Sequence, residues 1–520
     1  MRNLRPVVVI FILLLTSTVT LAQPPAGTKW AKDGNSYYAI EHNEIVQYLL
    51  PSFKRSTVAG QKELTPDETS QALNVRNFFF SSDQKKILIY TNSKRVWRQD
   101  TRGDYWVLDR EDKQLYQIGK GKEASSLMFA KISPDGTKVA YVYHHNIYVE
   151  DLGSHQTTQL TDDGNTRRIN GTFDWAYEEE FGCRDGFRWG SDSKQIAYWQ
   201  IGAEKIRNFL LINNTDSLYS FTVPVEYPKA GEDPSSCKVG VVQLATGKTT
   251  WMDVPGDAVQ HYIPRMEWAA GSSELILEQL NRKQNEAKVF LCNATTGSVQ
   301  QIYEEHDSAW IDVKNAWADD PAGWEWLNGG REFLWVSEKD GWRHIYIMDR
   351  SGKERLLTKG NYDMITLSGV DQQKGFVYFM ASPQNATQQY LYRISIRGDR
   401  PMELMSPVQQ KGTHRYDLSA SCTYGFHRFS NLKGERKTEW VEMSGHKSIK
   451  DQEAAPIAQN KTEPQVEMFK LTTDDGVEMD GWMIKPRNFD STKKYPVLFY
   501  VYTEPAGTTV KDAAATARAY

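Results

Sequence analysis

From Ile132 the chain reads ISPDGTKVAYVYHHNIYVEDLGSHQTTQLTDDG, a polar turn, two short β-rich apolar runs (VAYVY and IYVEDL), then a second polar turn. Ser-Pro-Asp-Gly supplies turn residues, and the flanking aromatic and β-branched residues favour strands. The device recurs at SSDQKKILIY, GSDSKQIAYW, GSSELILEQLNRKQNEAKVFLCNATTG, GGREFLWVSEKDGWRHIYIMDRSGKERLLTKG and KGFVYFMASPQNATQQYLYRISIRGD. Each unit is about four strands long, and helical periodicity hardly interrupts the series. The turns near Asp83, Asp135, Asp192, Ser272 and Gly330 lie 52 to 80 residues apart. Common propeller repeats span ~40–50 residues, so insertions are implied. Radial repetition removes long open edges, which makes a β-propeller the expected closure. A pair of β-sandwiches is the weaker alternative, because it does not require a recurring turn.

The pattern changes after residue 445. GHKSIKDQEAAPIAQNKTEPQ is polar and Pro-containing and reads as a linker over 446–464. MFKLTTDDGVEMDGWMIKPRNF then predicts a hairpin turning on Asp474-Asp475-Gly476, and KKYPVLFYVY a buried strand. These look like the opening strands of an α/β sheet whose remainder is expected beyond residue 520. Left without neighbours, PVLFYVY would be an aggregation hazard. At the other end, Arg2 and Arg5 precede the apolar run Val7–Leu15, and Thr20-Leu21-Ala22 offers a small-residue exit. This predicts a signal peptide over 1–22, cut after Ala22, and an exported protein, periplasmic or extracellular. The run is shorter than the roughly 18–20 residues a span needs, so no stable membrane span is expected.

The 520 residues, 40% hydrophobic, are too many for one ordinary domain. A net charge of -4 provides no basic field, which argues against a nucleic-acid partner. Cys183, Cys237, Cys292 and Cys422 lie far apart and match no metal spacing. They are expected to be mostly buried free thiols, with room for one bridge.

FDWAYEEEFG, residues 173–182, sets Glu178, Glu179 and Glu180 side by side in apolar company. Acidic runs usually form solvated turns or helix ends. Here Phe173, Trp175, Tyr177 and Phe181 would pin the segment against a core, and carboxylates held there need a cationic partner or shift toward neutrality. Two carboxylates facing one cavity form a receptor for an ammonium group, which donates up to three hydrogen bonds. No nearby His, Cys or Asp cluster completes a metal ligand set, so neither metal nor cofactor is expected.

DWAYEEEF closely resembles the D-W-x-Y-E-E-E segment of the dipeptidyl peptidase IV family of serine exopeptidases. YPKAGE from Tyr227, SEKDGWRHIY from Ser337, WRQDTRGDYWVLD from Trp97 and KKYPVLFYVYTEP from Lys493 follow in that family's order. The resemblance implies a mainly β chain: an eight-bladed β-propeller over 23–445, then the first strands of an incomplete α/β-hydrolase domain over 465–520. It implies that Glu179 and Glu180 bind the substrate's free α-amine, that Arg98 meets the carbonyl before the scissile bond, and that the Tyr502 hydroxyl stabilises the oxyanion. Where the family continues with Gly-Pro, this chain has Thr503-Glu504-Pro505. The implied partners are peptide N-termini with Pro or Ala second, released as dipeptides, and a second copy in a homodimer.

The family's acyl transfer needs a Ser on a G-x-S-x-G elbow, then Asp and His. The sequence contains no G-x-S-x-G. The nucleophile, Asp and His are therefore expected beyond residue 520, with the chain inactive alone. A prolyl tripeptidyl aminopeptidase and a non-catalytic peptide-binding propeller are the alternatives.

Overall fold

The computed structural model describes residues 28–313, 324–451, 466–486, 488–499 and 509–514. Among these, the regular elements are antiparallel strands and one helix, α1 (Trp175–Phe181). The predicted turns act through their side chains. At Ser133-Pro134-Asp135-Gly136, Asp135 Oδ1 accepts from Ser133 Oγ (2.6 Å) and Thr137 N (3.0 Å), while Gly136 takes φ 74°. Ser81 and Asp83 repeat this geometry, and the Ser81 hydroxyl and Lys85 amide hold the Asp83 carboxyl below its usual range.

The turns join strands into separate sheets. A four-stranded sheet (Lys29–Trp30 to Lys54–Ala59) comes first, followed by an eight-stranded one (Asn77–Phe80 to Thr157–Gln159). A five-stranded sheet (Arg168–Asn170 to Thr249–Trp251) comes next, with the separate hairpin Asn208–Asn213/Phe221–Glu226 inserted in it. Four more four-stranded sheets run from His261–Trp268 to Lys447–Asp451.

The fold expectation is corrected here. The sheets are separate and open, none closes into a propeller barrel, and no helix–strand alternation of an α/β-hydrolase appears among the described residues. Ladder hydrogen bonds run within each sheet, and neighbouring sheets meet mainly through side chains, with a few backbone links such as Asn170 N to His145 O (3.1 Å) and His414 N to Gln389 O (2.9 Å). Nor do the repeat units map one to one onto sheets. Pairing of Arg102 with Met128 and Gly103 with Leu127 fuses two units into the eight-stranded sheet. The hairpin at Asp474-Asp475-Gly476 forms as expected, with Gly476 at φ 88°. The run read as a buried strand does not: Leu498 is 93% and Phe499 83% exposed, since no described strand lies beside them to take their hydrogen bonds. The signal peptide and most of the linker lie outside the described residues.

Strands such as Ile87–Tyr90 and Leu275–Leu280 are buried at every position, because both faces of each sheet are covered. Phe78 and Ile87 of the second sheet pack with Tyr38 and Ile45 of the first, and the first sheet also shares a core with the last. In that core Trp440, 1% exposed, stacks on Tyr37 at 4.4 Å and meets Phe426 edge-on at 5.0 Å. Asp512 docks residues 509–514 onto the last two four-stranded sheets by accepting from Leu432 N (2.8 Å) and donating its own N–H to Thr387 O (2.7 Å). All four cysteines are buried and free.

Truncating Trp440 removes a large side chain from a joint between two sheets. Trp440→Ala is expected to cost about 3–5 kcal/mol, and Trp440→Phe markedly less. Denaturant unfolding followed by fluorescence tests this; equal midpoints for wild type and Trp440→Ala would show that the joint carries little stability.

Candidate functional site

Helix α1 is only seven residues long, too short to be stable on its own propensity, and it is held by its ends and its buried side. Asp174 is the N-cap: one carboxylate oxygen accepts from Tyr177 N (3.1 Å) and the other from the Ser235 hydroxyl. Burial pushes the Asp174 carboxyl up, and those two donors oppose the shift. Gly182 ends the helix at φ 65°, a left-handed position that suits glycine. Arg265 donates to Phe181 O (3.0 Å), placing a cation at the helix C-terminus. Tyr177 is fully buried, and its hydroxyl accepts from Ile263 N (3.3 Å). Phe173 and Phe181 flank it at 5.6 and 5.5 Å. Trp175 stacks instead on Tyr227 of the YPKAGE segment, at 4.2 Å.

This seating leaves the carboxylates on the open side. Glu178 is the most covered and lies 3.7 Å from Arg184 Nε. Burial raises the Glu178 carboxyl, and Arg184 opposes that shift. Glu179 pairs with Arg98 at 3.0 Å. Glu180 has no ion-pair or hydrogen-bond partner among the described residues, and burial plus the neighbouring Glu179 charge raise its carboxyl.

Arg98 arrives from a long hairpin earlier in the chain. Two eleven-residue strands, Lys86–Val96 and Gln99–Asp109, form a hairpin in which Val96 pairs with Gln99. Trp97 and Arg98 are therefore its two-residue tip, with Trp97 at φ 52°. Gly103 lets this hairpin close: a Cβ there would lie 2.2 Å from the Tyr90 ring. The tip, α1 and Arg184 rim a cavity of about 940 Å³ whose apolar wall includes Phe79, Tyr90, Tyr105 and Phe129. Lys131 also lines it, paired with Asp185, and burial lowers its ammonium to about 8.

Of the expected site residues, Arg98 and Glu179 meet at this cavity. Glu180 is adjacent in the helix but is not part of that lining. Tyr502 lies outside the described residues. Sequence reasoning missed Asp174, Arg184 and Arg265. The first was legible as an Asp directly ahead of a short helix, and the second as a cation four residues after the glutamates. Arg265 comes from a strand far along the chain, and no local pattern marks it.

Residues 81–435 match the family model for the dipeptidyl peptidase IV (DPP IV) N-terminal region. A protein named as a probable dipeptidyl-aminopeptidase B from Phaeosphaeria nodorum is 24% identical over 464 residues, covering 84% of this chain and 50% of that one. A probable dipeptidyl peptidase 4 from Emericella nidulans is 24% identical over 498 residues, covering 92% of this chain and 62% of the relative. The crystal structure of Porphyromonas gingivalis dipeptidyl peptidase 4 superposes with a TM-score of 0.84 at 26% identity, covering 95% of this chain and 69% of that one. The chain thus spans about half the length of the first of these curated relatives. With the match covering well over half of its 520 residues, the chain belongs to the family defined by the dipeptidyl peptidase IV N-terminal region.

Proposed function

We propose that this chain is the substrate-recognition part of an exported serine-type dipeptidyl aminopeptidase, and that it holds the free N-terminus of a peptide. The observation that carries the reading is Glu179 lining a cavity of about 940 Å³ with Arg98 at its rim, with Glu180 next to it on the same anchored helix, outside that lining. An ammonium group would take Glu180, which lacks a cation, and displace Arg98 from Glu179. Arg98 would then offer its fork of donors to the peptide carbonyl. The apolar wall suits the ring of a proline or the methyl of an alanine at the second position. Family membership supports hydrolysis of peptide bonds near the N-terminus, with the Ser, Asp and His expected beyond residue 520 and Tyr502 as oxyanion donor. On that expectation the chain alone leaves a Gly-Pro chromogenic amide intact.

The hairpin Asn208–Asn213/Phe221–Glu226 supports a homodimer as the working form. It exposes Leu210, Ile212, Leu218 and Tyr219, a contiguous apolar group of the kind that marks an interface.

Three outcomes test these proposals. In calorimetric titration with an Xaa-Pro peptide, Glu179→Gln and Glu180→Gln are each expected to weaken binding roughly 10-fold or more, the worth of one charged hydrogen bond. N-acetylation of the peptide should weaken it similarly; equal affinity for the free and acetylated peptides would refute the amine clamp. Binding should be bell-shaped in pH. It falls on the alkaline side as the peptide amine loses its proton near about 8. On the acid side it falls as Glu180 takes up a proton, at a pH above the ordinary glutamate value because the Glu180 carboxyl is raised. An acid limb that does not move in Glu180→Gln would count against this assignment. Light scattering should give a dimer for the wild type and a monomer for the Leu210→Asp/Ile212→Asp variant; a monomeric wild type excludes the dimer.

A further inference from the structure

The last four-stranded sheet carries a cluster of imidazoles that peptide recognition does not use. Tyr416, His427 and Glu439 stand opposite one another on three neighbouring strands, so their side chains share one face. His414 lies two residues before Tyr416 on that face, and His446 follows in the next turn. His427 and Glu439 are almost completely buried, at 0% and 1% exposure. Three hydrogen-bond contacts run in series: His414 Nε2 to Gln410 O (2.8 Å), His414 Nδ1 to His427 Nε2 (2.8 Å) and His427 Nδ1 to Glu439 Oε1 (3.0 Å).

The series is one proton short. Both of its ends, a carbonyl and a carboxylate, only accept. Filling three contacts takes three protons, and two neutral imidazoles bring two. The carbonyl fixes a proton on His414 Nε2, so the His414 Nδ1 lone pair accepts from His427 Nε2–H. His427 Nδ1 is then a second lone pair facing a carboxylate oxygen, an arrangement that takes either one more proton or a metal cation. His446 stands beside this gap, its ring edge-on to His427 at 4.8 Å and oriented by a 2.8 Å contact between Nε2 and the Tyr416 hydroxyl. One donor atom each from His427, Glu439 and His446 fall within 4.8 Å of one another.

The geometry points to a divalent transition-metal site, with Zn²⁺ the fitting ion, held by His427, Glu439 and His446. Two imidazoles and a carboxylate are a donor set suited to zinc, which binds each at about 2.0–2.2 Å and takes water in a fourth place. The small contraction required is within reach of side-chain movement. His414 and Gln410 then act as the outer hydrogen-bond chain that fixes the His427 tautomer. Lys437 opposes the ion: its Nζ lies 2.7 Å from Glu439 Oε2. It engages the other carboxylate oxygen and is 38% exposed, so it can turn toward Asp451 and solvent.

The test is equilibrium dialysis of the purified chain against Zn²⁺ with elemental analysis, repeated with Co²⁺ to read the ligand field by visible absorption. About one ion per chain is expected, with Co²⁺ showing the strong bands of a four-coordinate site. His446→Ala, a partly exposed position, should weaken binding at least about 10-fold while the chain remains folded. His427→Gln should do the same, and His446→Cys should retain binding and shift the cobalt spectrum. His306→Ala, in the exposed group Glu286, Glu304 and His306, should change nothing. No binding above the level of His446→Ala, or loss in His306→Ala alone, overturns the site, and the missing cation is then a proton.

Discussion

Among the described residues, the central strands of the larger sheets are buried on both faces, and that constraint organises the molecule. A strand such as Gln195–Gly202, buried at all but its last position, cannot present one face to water as an ordinary antiparallel sheet does. Such a sheet must therefore be covered twice. Trp199 and Val239 pack toward the sheet that follows, while Tyr198 and Val242 pack toward the one before. The same logic brings Tyr37 of the first sheet against Trp440 of the last. Sheets joined mainly by side chains leave their connecting turns available, and the functional groups come from those connections.

Helix α1 shows how a connection becomes rigid enough to hold a site. Its hydrogen bonds alone would not keep seven residues helical. Burial of Tyr177, the Asp174 cap and the Arg265 contact at the far end do. The anchoring atoms come from residues 174, 235, 263 and 265, spread over two sheets, so the direction of the carboxylates depends on how those sheets pack. The hairpin tip that delivers Arg98 is set the same way, by Gly103 against Tyr90 and by Arg184 donating to Thr101 at 2.6 Å.

Local chemistry was the legible part of the sequence. Turn residues such as Asp135 and Gly136 act within a few positions of themselves, and the aromatic residues around Glu178–Glu180 announced a buried side. Arrangement was not legible, because it depends on pairing between distant residues. Nothing in Gly103 and Leu127 signals that two units share one sheet, and nothing in PVLFYVY signals that its described residues stay exposed. The ion pair between Arg98 and Glu179 was also hidden: the sequence placed both on a substrate, and neither position shows that they would first find each other. His414, His427, Glu439 and His446 escaped notice because their spacing matches no metal motif, and only the pleat of three strands aligns them.

The Arg98–Glu179 pair bears directly on the proposed clamp, since an amine must compete with a guanidinium already in place. Magnitudes decide the competition. Arg98 is 79% exposed and sits on a hairpin tip, and ion pairs of that kind contribute about 0–1 kcal/mol. An ammonium held between Glu179 and Glu180 makes charged hydrogen bonds of about 1.5–3 kcal/mol each. It also supplies the cation that Glu180 lacks. In the proposed clamp the incoming amine wins, and displacement frees Arg98 to turn toward the peptide carbonyl. On this reading the pair in the free protein holds the hairpin tip near the helix until a substrate arrives. In that proposal, recognition of the N-terminus and of the peptide carbonyl are coupled steps, with the guanidinium released by binding of the amine.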